Sequence, residues 1–108
     1  MLLFGRGNLT RYNKAVRDKI PEIIKESGKN CNVKKLKDSE FLVELEKKLI
    51  EELTEYQESK DVEELADILE AIYRISNLKG FDLDKVRLEK IEKRGKFEKN
   101  LFLVDTSD

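Results

Sequence analysis

Apolar residues recur at helical spacing along most of this chain. Phe41, Leu42, Leu45, Leu49, Leu53 and Tyr56 follow one another at steps of one to four, which places them on one face of an amphipathic helix. Leu65, Ile68, Ala71, Ile72, Ile75 and Leu78 form a second such run. Polar and glycine residues mark the ends. Asp38 or Ser39 is placed to cap a long helix reaching about residue 59. Asp61 caps the next, which runs to Lys79 and stops at Gly80. A shorter helix is predicted over 19–27, with Asp18 as its cap, Pro21 in the first turn and Gly28 after its end. A fourth starts at Asp82 and ends near Arg94 and Gly95. The lysine-bearing stretch 28–38 reads as a basic connection, and 97–104 as a short strand or an extended arm.

One proline, no hairpin dipeptides and helix-period spacing make the fold class all-α. The expected architecture is a helical bundle built on a two-helix hairpin with short flanking helices. The 62–78 helix is apolar around more of its circumference than one hairpin can cover, so completion by a homodimer or higher homo-oligomer is expected. The organisation is an N-terminal extension over 1–11, one domain over 12–104 and a short tail over 105–108; 108 residues suit a single core.

Charge changes the picture more than length does. Charged residues make up 42% of the chain, yet 22 Lys and Arg nearly balance 23 Asp and Glu. No bulk basicity favours a nucleic-acid polymer or an anionic membrane. No apolar run is long enough to span a bilayer, and the start, apolar over Met1 to Phe4, lacks the basic region and the full apolar stretch of a signal peptide. The lone Cys31 allows no intramolecular disulfide, which fits a reducing cytoplasm.

The acids form a ladder at three-residue spacing: Glu52, Glu55, Glu58, Asp61, Glu64, Asp67 and Glu70. In a chain this acidic such spacing discriminates nothing; the helix face does. With about 100° per residue and Leu45 at zero, Glu52 falls near −20°, inside the apolar stripe, and Glu55 near −80° at its edge. On the second wheel, with Leu65 at zero, Glu64 falls near −100° within the apolar sector and Asp67 near −160° at its margin. Inward carboxylates are costly unless compensated. Four of them on adjoining helices, with no histidine and no cysteine cluster, suit a hard cation: Mg2+, with Mn2+ possible. Plainer roles compete. Glu64 could close a capping box on Asp61, Glu55 could pair with a neighbouring helix, and Glu52 could pair with Lys48.

Glu51-Glu52-Leu53-Thr54-Glu55 followed by Glu64-Leu65-Ala66-Asp67 resembles the EExxE…ExxD pattern of the MazG-like all-α nucleoside triphosphate pyrophosphohydrolases. Tyr12 to Ile24 resembles the opening of a small house-cleaning branch related to phosphoribosyl-ATP pyrophosphohydrolases, and Arg94-Gly95-Lys96-Phe97 its RGGF-like close. The likeness covers nearly all of 12–104. Lys96 stands where a second glycine is expected, and the gap from Glu55 to Glu64 demands a tight turn.

The resemblance implies Mg2+-dependent hydrolysis of a nucleoside triphosphate, canonical or not, to its monophosphate and pyrophosphate. It implies metal ligands at Glu52, Glu55, Glu64 and Asp67, with Glu51, Glu52 and Glu55 as the catalytic set. Glu51 is the candidate to orient or deprotonate the attacking water. Phosphate contacts are expected from Arg17, Lys19, Lys93 and Arg94. The rival expectation is a non-enzymatic helical interaction module or regulatory dimer whose carboxylates are structural.

Overall fold

The computed structural model describes residues 9–108, which form four helices and no strand: α1 Ile20–Glu26, α2 Asp38–Ser59, α3 Val62–Lys79 and α4 Leu83–Arg94. The all-α expectation holds. Residues 1–8 of the expected N-terminal extension lie outside the described residues; 9–11 are exposed and irregular.

Two helix starts differ from expectation. Asp18 does not cap α1. Lys19 occupies that position with near-helical backbone angles and no capping bond, and Pro21 needs no acceptor for a missing N–H. The cap of α2 is neither Asp38 nor Ser39 but the extended Lys37. Its N–H donates to Glu40 Oε1 at 3.2 Å, while Asp38 sits in the first turn, where negative charge favours the helix dipole. Asp61 caps α3 as expected, accepting from the Glu63 N–H at 3.0 Å. Asp82 caps α4 through the Lys85 N–H at 3.2 Å.

α2 and α3 pack along one another, and no other pair of helices packs extensively. Their connection is a tight corner. Lys60 turns left-handed (φ 58°) and donates to the Tyr56 carbonyl at 2.8 Å, and the Asp61 N–H donates to Ser59 Oγ at 3.1 Å. Gly80, also left-handed (φ 76°), ends α3, and the Phe81 N–H returns to the Ser76 carbonyl. Buried Ser76 answers with Oγ donating to the Phe81 carbonyl at 2.8 Å.

The buried apolar core is small: Ala15, Leu45 and Ala71. The radius of gyration is 19.8 Å and the long axis 77 Å, whereas a compact chain of this length would have a radius near 13 Å. The segment after α4 forms neither the strand nor any helix; apart from a turn near residues 97–99 it is irregular and exposed.

Candidate metal centre

Two helices and one irregular strap build the site. The corner at Lys60 and Asp61 folds α3 back on α2, so the acids after the first seam residues of α3 meet those late in α2. Glu51, Glu52 and Glu55 bring carboxylate oxygens within 4.8 Å of one another, and so do Glu52, Glu64 and Asp67. Glu52 belongs to both groups. These acidic clusters can hold a metal ion.

Glu52 is the unusual member. It is 4% exposed and shares the buried set with small and apolar residues. One of its oxygens meets Lys48 Nζ at 3.3 Å, the i−4 pair expected as its plainer role. Oε2 is buried with no hydrogen-bond partner while the surrounding carboxylates are ionised. A desolvated carboxylate oxygen left unmatched costs stability, so the lysine does not account for the whole group. An oxygen-seeking hard cation fits this donor set of carboxylates alone.

Glu64 shows how crowded the charge is. Its carboxyl is pushed up to about 7, first by its hydrogen bond to Glu52, then by loss of water, then by hydrogen bonding and repulsion from Glu55. The cluster thus retains a proton unless another positive charge replaces it. The capping-box role for Glu64 does not occur: the Asp61 N–H is taken by Ser59 Oγ, and the Glu64 side chain turns to Glu52 and Glu55.

The strap of residues 12–18 supplies cations from outside the hairpin. Arg17 Nη2 donates to Asp67 Oδ1 at 2.7 Å, and Lys14 Nζ donates to Glu51 Oε1 at 3.0 Å. Between them Ala15 is buried, so a small side chain lets the backbone lie close while its neighbours reach over the acids. Both cations are held above their ordinary pKa, chiefly by the hydrogen bonds to Glu51 and Asp67. The Lys14 ammonium in turn holds Glu51 below the usual carboxylate range. That makes Glu51 a weak base and a competent orienting group. Lys48 also approaches Glu51, at 3.7 Å.

Of the four expected phosphate-binding residues, the structure brings only Arg17 to the acids. Lys19 is the exposed cap of α1. Lys93 and Arg94 end α4, where Arg94 lines a groove with Arg87, Lys90, Lys96 and Phe97 and with none of the acids. Lys14 reaches the acids as well, although residue type alone did not single it out. No local pattern marks it, because residues 12–17 are irregular and its partner lies 37 positions away. Tyr12 is well exposed beside Lys14, with the ammonium 5.8 Å from the ring centre. Tyr73 of α3 is 43% exposed.

No helix among the described residues is long and apolar enough to cross a membrane. No family model matches the chain, and neither do any curated protein or solved structure.

Proposed function

We propose that the chain is a Mg2+-dependent nucleoside triphosphate pyrophosphohydrolase of the MazG-like kind, acting as a homodimer. The observation that carries this reading is the buried Glu52 carboxylate. It has one oxygen unmatched and lies amid Glu55, Glu64 and Asp67 in the order of the EExxE…ExxD pattern.

In this reading Glu52, Glu55, Glu64 and Asp67 hold the metal. A bound Mg2+ supplies charge neutralisation at phosphate oxygens and a water of lowered pKa. Arg17 keeps Asp67 turned toward Glu52 and presents its remaining N–H groups to a phosphate edge. Glu51, held by Lys14, orients a water rather than removing its proton. Exposed Tyr12 lies near enough to the strap cations to meet a base or sugar.

Pyrophosphate release from a panel of canonical, deoxy and damaged triphosphates with Mg2+ tests the reading. Turnover of at least one member is expected, and Asp67→Asn should abolish it with the helical circular dichroism intact. Absence of release from every member would overturn it for those substrates. The exposed apolar faces of α2 and α3 favour the second reading, a non-enzymatic helical interaction module. In that case Mg2+ would leave the melting temperature unchanged.

A further inference from the structure

Two apolar surfaces of this chain are left without partners, and they lie in different places. On α3, Val62 (71% exposed), Leu65, Leu69 and Tyr73 follow at steps of three and four. With Leu65 at zero this stripe spans about 0° to 80°. Glu64 and Asp67 lie near −100° and −160° on the same wheel, so the stripe faces away from the acids. Ile50 and Leu53 of α2 are exposed as well. The second surface is the segment after α4. Phe97 is 100% exposed, and Leu101, Phe102, Leu103 and Val104 are 78–88% exposed.

Contiguous apolar surface of this size marks an interaction site. The segment leaves α4 through Gly95, whose φ of 80° and ψ of −172° belong to a region that glycine alone enters readily. α4 itself packs extensively on no other helix, and the exposure of its apolar residues shows that the segment is not packed on the α3 stripe of its own chain.

We propose that the segment 97–104 is an exchange arm that docks on the α3 stripe of a second copy, reciprocally across a two-fold axis. The area argues for a second copy as occupant. The chain exposes 10161 Å², against about 6,200 Å² for a compact chain of 12.7 kDa. The excess of roughly 4,000 Å² is several times the ~800 Å² per partner that a stable complex buries. Each copy carries both the donor arm and the acceptor stripe, so one symmetric closure satisfies all four surfaces. The two phenylalanines of the arm alone offer roughly 300 Å² or more. The proposal does not depend on the catalytic reading; it would hold for a non-enzymatic module.

Sedimentation of the full chain at micromolar concentration should show a dimer. Phe102→Asp in the full chain should weaken it roughly 30-fold or more, as loss of an anchoring aromatic does, and Leu69→Asp should do the same from the acceptor side. Both should keep the helical circular dichroism, since residue 102 lies outside every helix and Leu69 is half exposed. For contact in trans, chains bearing Leu69→Cys and Phe102→Cys, each in a Cys31→Ser background, are mixed and mildly oxidised. A disulfide between the two chains is expected beyond that formed by either alone. A monomer, a dimer indifferent to Phe102→Asp, a loss of helix in that variant, or no mixed disulfide would each overturn the proposal.

Discussion

The α2–α3 hairpin and the stretch from α4 to Val104 are both rich in charge and apolar residues, but they use them differently. The hairpin has local pairs of its own, Lys47 with Glu44 and Lys48 with Glu51 and Glu52, but it also receives charge from the strap: Lys14 to Glu51 and Arg17 to Asp67 join residues 37 and 50 positions apart. In the later stretch ion pairs are local, Arg87 with Asp84 and Lys96 with Glu98. The hairpin buries Leu45, Ala71 and a carboxylate; α4 buries nothing. A long-range pair brings charge from one element to the acids of another, whereas a neighbouring pair stays on the helix that carries it. Under the proposed reading, the hairpin holds the metal and the later stretch meets a second copy.

The sharpest way to break this contrast is Glu52→Gln. The amide keeps the shape and removes a buried charge that Lys48 satisfies on one side only. Turnover should fall more than about 100-fold, exceeding what an outer-shell partner of a metal contributes. The melting temperature of the metal-free protein should hold or rise, because a desolvated, half-matched carboxylate is costly. The stabilisation by Mg2+ should disappear. If Glu52 were a purely structural partner of Lys48, the same change would lower the melting temperature and leave any Mg2+ effect in place.

Next in size is Arg17→Ala. Arg17 does not build the fold: it is exposed, and an exposed ion pair contributes about 0–1 kcal/mol. Thermal stability should change little. Metal affinity should fall about 10-fold or more, because the arginine positions Asp67 as a supporting hydrogen bond positions a ligand. Calorimetric titration of Mg2+ checks this. An equal loss of melting temperature and affinity would make the strap a structural brace.

These two predictions rest on different degrees of legibility in the sequence. Helical periodicity placed Glu52 and Glu64 inward, because a face depends only on residues of the same helix. It also located the Lys60–Asp61 corner and the Gly80 stop, where backbone chemistry is local. The strap was not legible in the same way. Residues 12–18 have no repeat, and their value lies in pairs formed 37 and 50 positions away. The caps of α1 and α2 fell one or two residues from expectation, since several adjoining polar groups can satisfy the same first turn. Nothing local revealed that α4 would stand apart, because packing depends on a partner surface that its own twelve residues do not encode.

The pH dependence sharpens the comparison from the hairpin side. Glu64 is raised from 4.5 to about 7, so in the metal-free protein the folded state binds its proton more tightly than the unfolded state does. The stabilisation this gives is complete below the unfolded value and is lost as pH rises through about 7. A metal needs the carboxylate instead. Mg2+ affinity should therefore fall up to about tenfold per pH unit below 7 and level off above it. Thermal melts from about pH 5 to about pH 8, with and without Mg2+, should diverge progressively toward the alkaline end. Parallel curves would separate Glu64 from the metal.

The smallest effect belongs to α4. Arg87 Nε lies 3.5 Å from Asp84 Oδ1, with both side chains more than half exposed. A pair three residues apart on a solvated helix contributes about 0.2–0.5 kcal/mol. Arg87→Ala should therefore shift the melting temperature by no more than a degree or two, and pyrophosphate release should stay within twofold of wild type. The same substitution type at Arg17 trades a pair fifty positions apart for an alanine, which is why the two arginines make a fair control for each other. If Arg87→Ala cost as much metal affinity or stability as Arg17→Ala, α4 would have to be packed against something in the assembled protein. The two regions would then differ only in where their partners come from, within the chain for the hairpin and from a second copy for α4.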